Sequence, residues 1–319
     1  MRGAGAGASL RGIMSNVVLL FSGQGAQTVG MGQDLAQAFP EIQEFFAQAD
    51  QVLGRSLTEV MFEGPDEELT RTGNCQPALY LHGLALWKLV KARKPELEVV
   101  AAAGLSLGEW TAHAAAGTFD EMDGLQLVEK RGELMEEACD ANPGAMAAMI
   151  GGKVEDVERL AADCGVDVAN LNCPGQIVLS GSVEGIDEAV SKAKEYGLRM
   201  GKKLPVAGAY HSSLMASAQE GLAPVLADQA LSEPAFPVVS NVTAKEVTDP
   251  TEVKERLIEQ ITSSVRWEES VRLLLEQGHT TFLELGPGKV LKGFMGRIDK
   301  TVTVHCIEDQ ASLEAFLAE

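Results

Sequence analysis

A Gly-x-Ser-x-Gly sequence at residues 104–108 constrains the fold more than any other feature of the chain. The apolar residues 97–100 before it predict a buried strand, and the Ala-rich residues 111–116 after it predict a helix. A strand-to-helix turn this sharp accepts only glycines beside its serine, and it is called a nucleophile elbow. It would place Ser106 at a helix N-terminus, where free N–H groups favour developing negative charge. The alternative is an ordinary glycine-rich turn.

Composition bounds the class of protein. The chain has 319 residues, of which 45% are hydrophobic and 23% charged, which predicts a large core in one domain with an insertion, or in two domains. A net charge of −20 argues against a nucleic-acid or anionic membrane partner. Five cysteines without a CxxC pair favour free thiols in a reducing compartment, so we expect a cytoplasmic protein. No apolar run approaches the ~18 residues of a membrane helix. We expect residues 1–13 to be a disordered extension, with Met14 as the start of the fold.

The first apolar run, residues 17–21, predicts a second buried strand. It leads into Gly23-Gln24-Gly25-Ala26-Gln27, a tight loop with exposed backbone amides. A dinucleotide-binding loop would need a third glycine where Thr28 stands, and a second strand soon after it. Residues 34–53 have a helical period instead, so dinucleotide binding is rejected.

The middle of the chain, residues 142–208, changes character. Its apolar pattern alternates as β-α-β-β-α-β, the ferredoxin-like order. Strands are predicted at 145–150, 166–172, 176–180 and 199–206, with helices at 154–164 and 183–196. We therefore predict an α/β fold with a small ferredoxin-like subdomain at 142–208, inserted into a large domain formed by 14–141 and 209–319.

The rest of the chain reads as further helices and strands. Helices are predicted at 76–90, with Pro77 in the first turn, and at 123–138, 250–262 and 267–276. Strands are predicted at 238–241, 280–285 and 302–307.

Two candidate site residues stay ambiguous at this level. Arg131 lies on or beside the apolar side of its predicted helix. It would either pair internally with Glu129 or Glu136, or aim a partly desolvated guanidinium at a ligand carboxylate. His211 lies in a loop at the junction of insertion and core, a position that suits a base for Ser106, with His113 as its rival. No histidine pair has metal-ligand spacing, so we predict no metal.

Taken together, several motifs resemble the malonyl-CoA:acyl carrier protein transacylase family, in the right order from about residue 16 to 300. The motifs are Gly23-Gln24-Gly25-Ala26-Gln27, the 104–109 elbow, Arg131, Tyr210-His211, Asn241-Val242-Thr243-Ala244 and Glu284-Leu285-Gly286-Pro287-Gly288. The resemblance implies an α/β-hydrolase-like core with an inserted ferredoxin-like subdomain.

The resemblance also implies roles for individual residues. Ser106 would be the nucleophile, His211 the general base, and the Gln260 backbone carbonyl the third partner. The amides of Gln24 and Leu107 would form the oxyanion hole. Arg131 would hold the malonyl carboxylate, and Tyr210 fits the bulky aromatic that accompanies malonyl preference in related acyltransferases.

The implied reaction is a ping-pong transfer of malonyl, in fatty acid biosynthesis, from coenzyme A to the phosphopantetheine thiol of acyl carrier protein. It needs no cofactor, and a monomer is expected. One departure is Leu105, where the family usually has His. Alternatives are a trans-acting polyketide acyltransferase, a serine thioesterase or lipase, and a non-enzymatic scaffold. Since carrier proteins are acidic, we predict that exposed cations frame the entrance. These are Arg199, Lys202, Lys203, Lys289, Lys292 and Arg297.

Overall fold

The computed structural model describes residues 16–319. The predicted extension at 1–13 and the predicted start at Met14 lie outside the described residues. The helices are α1 (Gln33–Ala38), α2 (Pro40–Leu53), α3 (Leu57–Glu63), α4 (Asp66–Thr70), α5 (Thr72–Arg93), α6 (Leu107–Ala115), α7 (Glu121–Ala141), α8 (Val154–Cys164), α9 (Val183–Lys192), α10 (Ala216–Ala227), α11 (Pro250–Glu259), α12 (Trp267–Glu276), α13 (Val290–Ile298) and α14 (Gln310–Ala318). The strands are β1 (Asn16–Phe21), β2 (Glu98–Gly104), β3 (Gly144–Ile150), β4 (Asp167–Cys173), β5 (Gln176–Ser182), β6 (Met200–Lys203), β7 (Val238–Val239), β8 (Glu246–Val247), β9 (Thr281–Leu285) and β10 (Thr303–Ile307).

The larger sheet has six strands in the order β10-β9-β1-β2-β7-β8. All neighbours are parallel except β7 and β8. Its central strand β1 buries both faces, as parallel strands covered by helices on both sides do. The two sides of β1 enter different apolar clusters, with Leu19 in one and Leu20 in the other. Because the strands are parallel, β1 and β2 end at the same edge of the sheet, at Phe21 and Gly104.

The smaller sheet has four antiparallel strands in the order β4-β5-β3-β6. With α8 and α9 it follows the chain order β-α-β-β-α-β that the apolar pattern predicts. The two helices pack on one face through Val157, Leu160, Ile186 and Ala189. The other face is turned toward the larger sheet, and a parallel bridge joins Asn170 to Val265.

The predicted start of the helix at 76–90 was wrong. The helix α5 begins at Thr72, so Pro77 lies inside it rather than in its first turn. Proline has no N–H for the carbonyl four residues earlier, which here is that of Gly73. The Arg55 guanidinium donates to that Gly73 carbonyl at 3.1 Å and replaces the lost bond. A contact from a distant residue therefore makes the proline tolerable, and the local sequence does not reveal it.

Other boundaries moved for local reasons. The helical residues 34–53 form two helices, because Phe39 is extended before Pro40, as residues preceding proline prefer. The predicted strand at 199–206 is shorter, and only 200–203 pair with β3. The predicted helix at 183–196 ends in a 3₁₀ turn. Within residues 16–319, no helix combines the length and the apolar character needed to cross a bilayer.

Candidate active site

The Gly-x-Ser-x-Gly segment forms the sharp turn that its glycines predict. Strand β2 ends at Gly104 and α6 begins at Leu107. Between them Ser106 has φ 54° and ψ −104°, a backbone region that L residues rarely adopt. A Cβ on Gly104 would lie 1.9 Å from the Gly108 carbonyl carbon, and one on Gly108 would lie 2.1 Å from the Phe21 oxygen. Both positions therefore require glycine.

The Asn241 side chain holds this turn in place. Its Nδ2 donates to the Gly104 carbonyl at 2.8 Å, and its Oδ1 accepts from the Ser106 N–H at 2.7 Å. Asn241 follows β7, which lies beside β2 in the sheet. The strained backbone of Ser106 is thus stabilised by hydrogen bonds from a neighbouring strand end. This residue belonged to a recognised motif, yet the sequence did not assign it a role.

His211 faces Ser106 across the carboxyl edge of the large sheet. Its Nε2 lies 2.8 Å from Ser106 Oγ, and its Nδ1 lies 2.9 Å from the Gln260 carbonyl oxygen. Because a carbonyl can only accept, Nδ1 carries the proton and Nε2 is free to accept from the serine. Burial, and then the nearby Arg131 charge, lower the pKa of His211 to about 4, so the imidazole is neutral at pH 7.

The rival histidine lies elsewhere. His113 is buried in α6, and its Nδ1 lies 3.1 Å from Thr118 Oγ1. Burial lowers its pKa to about 3, so it stays neutral as part of the core. His113 therefore has no contact with Ser106 that a base would need.

Arg131 reaches the serine from helix α7 and is 1% exposed. Its Nη2 donates to Ser106 Oγ at 3.0 Å, and its Nη1 donates to Gln76 Oε1 at 2.5 Å. Burial lowers its pKa to about 10, which still leaves a cation at pH 7.

The internal ion pair proposed for Arg131 as an alternative does not form. Glu129 pairs with Arg55 at 2.8 Å, and Glu136 pairs with Arg71 at 2.8 Å. Gln76, whose part in holding Arg131 the sequence did not suggest, provides an uncharged partner instead. The guanidinium is therefore a buried cation aimed at the serine hydroxyl.

The remaining predicted residues surround the same hydroxyl group. Gln24 and Leu107 line the pocket beside Ser106, and in the described chain neither backbone N–H donates to a protein acceptor. Tyr210 is 5% exposed, and its hydroxyl lies 2.6 Å from Thr72 Oγ1 and accepts from Gln24 Nε2 at 3.4 Å. Burial raises the pKa of Tyr210 to about 12, so it stays neutral. The hydrogen bonds to Thr72 and Gln24 fix the position of the Tyr210 ring.

Leu105, where the family resemblance predicts His, does not disturb the turn. Its N–H donates to the Phe21 carbonyl at 3.2 Å, and its own carbonyl accepts from Gly108 at 3.0 Å. The side chain lines the pocket beside Val290 and Phe294 of α13. The hydrogen bonds that shape the elbow come from Asn241 and the backbone, so Leu at this position leaves Ser106 correctly placed.

A cavity of about 200 Å³ lies between the two sheets, with Ser106 in its wall. One side carries the polar residues named above. The other side comes from β3, β4, β5 and the segment after β6, through Met146, Asn170, Asn172, Val178, Leu204 and Val206. The fold and site define an α/β protein with a serine–histidine nucleophilic centre and a buried arginine beside it.

Comparison with known proteins agrees with that class. Residues 18–303 match the family described as acyl transferase domain, and the chain belongs to this family. It is 41% identical over 306 residues to the malonyl CoA-acyl carrier protein transacylase of Bacillus subtilis (strain 168), covering 94% of this chain and 96% of that protein. It is 36% identical to the corresponding transacylase of Escherichia coli (strain K12), with 95% and 99% covered.

Solved structures agree in fold. An acyl carrier protein S-malonyltransferase from Vibrio cholerae superposes with a TM-score of 0.90 at 39% identity, over 95% of this chain and 99% of that one. A malonyl-transacylase in complex with a type II polyketide acyl-carrier protein superposes with a TM-score of 0.91 at 38% identity, over 95% and 99%. The α/β class and the family resemblance predicted from the sequence are confirmed.

Proposed function

We propose that the chain transfers a malonyl group from coenzyme A to the phosphopantetheine thiol of acyl carrier protein, through an ester on Ser106, in fatty acid biosynthesis. The buried Arg131 guanidinium, 3.0 Å from Ser106 Oγ, carries this proposal. A cation held there has a use when the acyl group ends in a carboxylate, as malonyl does. The names of the relatives point to the same substrate.

In the first half-reaction, His211 acts as the general base. Its Nε2 takes the Ser106 proton as Oγ attacks the thioester carbonyl. The Gln260 carbonyl accepts from Nδ1–H at 2.9 Å, which fixes the ring and its tautomer. The tetrahedral intermediate then collapses, the C–S bond breaks, and the coenzyme A thiolate takes the proton from Nε2. The malonyl group remains as an ester on Ser106.

The Gln24 and Leu107 amides would receive the oxyanion of this intermediate. Leu107 is the first residue of α6, where the helix leaves N–H groups without internal partners. Each such donor contributes on the order of 3 kcal/mol to the transition state. The low pKa of His211 keeps this base unprotonated at neutral pH, so it can take the Ser106 proton.

In the second half-reaction, the carrier-protein thiol attacks the ester. His211 takes the thiol proton and returns it to Ser106 Oγ as the C–O bond breaks, so the enzyme is regenerated. Arg131 would hold the malonyl carboxylate throughout, and Tyr210 would limit the size of the acyl pocket. The reaction consumes one thioester and forms another, so no resident cofactor is required.

The architecture supports a finer assignment. We infer an α/β-hydrolase-like core formed by residues 14–141 and 209–319, with a ferredoxin-like subdomain at 142–208. The parallel sheet with a nucleophile elbow after β2 supports the first label. The strand order β4-β5-β3-β6 with two helices on one face supports the second. A monomer in the cytoplasm is our expectation for the working enzyme.

The carrier protein would dock beside the pocket entrance. Lys289 and Lys292 flank Val290 of α13, and Lys202 lies on β6, just before the pocket residue Leu204. Neighbouring residues of a strand point to opposite faces. Lys203 pairs with Asp187 of α9 at 2.7 Å, so Lys202 points to the pocket face.

Charge reversal tests this docking surface. Lys202→Glu should raise the KM for acyl carrier protein several-fold and leave malonyl-CoA loading unchanged, because the carrier is acidic. Lys203→Glu on the other face is the matched control and should have the smaller effect. Equal loss in both half-reactions would exclude this docking site.

The decisive experiment is incubation with malonyl-CoA followed by peptide mass analysis. A malonyl adduct on the Ser106 peptide is expected, and it should be absent in Ser106→Ala. Ser180→Ala removes a buried hydroxyl from β5 of the small sheet and is the matched control. Steady hydrolysis without an adduct or carrier acylation would identify a thioesterase instead.

A further inference from the structure

Beneath the catalytic serine lies a buried carboxylate that the proposed mechanism leaves without a role. Glu109 is on α6, three residues beyond Ser106, and its exposed fraction is 0%. Its Oε2 accepts from the Gln260 side-chain amide at 2.5 Å and from the Asn241 backbone N–H at 3.1 Å. Burial raises the pKa of Glu109 to about 8, while the Asn241 and Gln260 donors and the Arg131 charge oppose this rise. The ionised carboxylate therefore forms at mildly alkaline pH and needs a compensating group there.

The compensating charge is Arg131, and it is reached through an amide rather than by direct contact. The Gln260 Nε2 donates to Glu109, while the Gln260 Oε1 accepts from Arg131 Nη2 at 3.1 Å. The amide dipole therefore points its positive end at the carboxylate and its negative end at the guanidinium. The Gln260 amide therefore stabilises both the Glu109 carboxylate and the Arg131 guanidinium, although these two groups do not contact each other.

The same residue also touches the catalytic pair. Gln260 Nε2 donates to the Ser106 carbonyl at 3.0 Å, and the Gln260 backbone carbonyl accepts from His211 Nδ1 at 2.9 Å. Trp110 Nε1 donates to Gln260 Oε1 at 3.1 Å and prevents the amide from turning over. Gln260 is thus in contact with the nucleophile, the base and the arginine at once.

We propose that Glu109 is a positioning residue that acts through the Gln260 amide to hold Arg131 beside Ser106. The proposal rests on the function proposed above, and it adds that carboxylate selection depends on a second, buried carboxylate. Before substrate binds, Glu109 and Gln260 keep the guanidinium at the serine rather than at an alternative acceptor. When malonyl binds, its carboxylate meets an arginine already in place.

The test is Glu109→Gln, which keeps a side chain of the same size with an oxygen for Gln260 and Asn241 but removes the charge. At pH 9, above the Glu109 pKa of about 8 and below the Arg131 pKa of about 10, we expect malonyl loading to lose about tenfold in kcat/KM, mainly through KM. This factor lies within the usual coupling of contacting residues. Acetyl loading should change by less than about twofold, so malonyl selectivity falls. An equal loss for both acyl groups, or no loss for either, would overturn the proposal.

A double-mutant cycle separates positioning from a merely structural role. In an Arg131→Ala background, Glu109→Gln should leave malonyl loading within about twofold, because the residue it positions is gone. A full additional loss in that background would show that Glu109 acts without Arg131. Wild-type enzyme that loads no malonyl would refute the proposed function itself, whereas normal wild-type loading with unchanged Glu109→Gln selectivity refutes only this inference.

Folding of the variants is monitored by thermal unfolding. Should Glu109→Gln fail to fold, Gln260→Met carries the test, since it keeps the backbone carbonyl for His211 and removes the bridge. Because Gln260→Met also removes the bond to the Ser106 carbonyl, both acyl groups should load more slowly, and the expected result is a larger loss for malonyl than for acetyl. If both variants unfold and Arg131→Ala does not restore them, the carboxylate is structural and the proposal is wrong.

Discussion

The two walls of the pocket differ in chemistry and in origin. The serine wall, defined by Gln24, Ser106, Arg131 and His211, is polar and comes from loops and helices around the carboxyl edge of the large sheet. The small-sheet wall, defined by Met146, Val178, Leu204 and Val206 with the two amides of Asn170 and Asn172, is mostly apolar. It comes from one face of the four-stranded sheet and the segment after it.

This difference separates two requirements of acyl transfer. The serine wall needs unpaired N–H groups and a strained serine, which occur where strands end and helices begin. The small-sheet wall needs a surface that excludes water from an ester that must meet a thiol instead. A sheet face provides such a surface, because its backbone groups are already paired within the sheet. We expect changes on the serine wall to affect the reaction rate and changes on the small-sheet wall to affect its leakage to water.

The largest effect on the serine wall should come from the base. His211→Ala should lower malonyl loading at pH 7 by at least about 10³-fold, since within residues 16–319 no other group near Ser106 Oγ can take its proton. Stopped-flow or quench-flow release of coenzyme A measures this step. His113→Ala is the matched control and should keep the loading rate per folded molecule, though its loss from the core lowers stability. Comparable rate losses in both variants would remove His211 from its role.

Arg131 should distinguish acyl groups rather than activate the serine. Arg131→Ala should lower malonyl loading by about 10²-fold, the effect of losing a buried charge-assisted contact, and raise the relative use of acetyl-CoA. Competition between the two thioesters measures the ratio. Arg71→Ala breaks an exposed ion pair with Glu136 and serves as the control, with selectivity unchanged. A selectivity that survives Arg131→Ala would assign the carboxylate to another residue.

The pH dependence links these two residues. With the His211 pKa lowered to about 4, loading should stay flat from pH 7 down to about pH 5 and fall below that, because the protonated base cannot accept. The Arg131 charge disfavours a second cation nearby, so Arg131→Ala should raise the His211 pKa and move the acid limb to higher pH. The pH dependence of kcat/KM for acetyl-CoA, recorded for the wild-type enzyme and for Arg131→Ala, measures the position of the acid limb in each. A limb that stays fixed, or moves to lower pH, would contradict this coupling.

The smallest effect is expected on the small-sheet wall. Leu204→Ala should increase hydrolysis of the malonyl ester about two- to fivefold in the absence of a thiol, since it exposes apolar area worth about 1 kcal/mol. Loading should change less than hydrolysis. Val154→Ala, an exposed site on the same sheet's helix, is the control. An unchanged ester lifetime would mean that the small-sheet wall does not exclude water.

Much of the fold follows from local patterns. The elbow and the β-α-β-β-α-β order were predictable because glycine spacing and apolar period are properties of neighbouring residues. The boundaries of α5 and β6 were not predictable. The start of α5 depends on Arg55, which lies 18 residues before Gly73 and donates to the Gly73 carbonyl that Pro77 leaves without a donor. The length of β6 depends on its pairing with β3. The nucleophile was identifiable from its motif. The loop position of His211 favoured it over His113 as the base, and the family resemblance then decided between them.

What the sequence determined by itself is the turn at Ser106, because two glycines and a serine between a strand and a helix leave few other conformations. Only the tertiary structure decided what surrounds that serine. Residues 24, 131, 211, 241 and 260 are far apart in the chain. Parallel strands that end at one edge of the large sheet bring residues 24 and 241 to Ser106, whereas α7, the loop after β6 and the end of α11 bring residues 131, 211 and 260. Hydrogen bonds between such distant residues depend on the whole fold, and no local pattern encodes them.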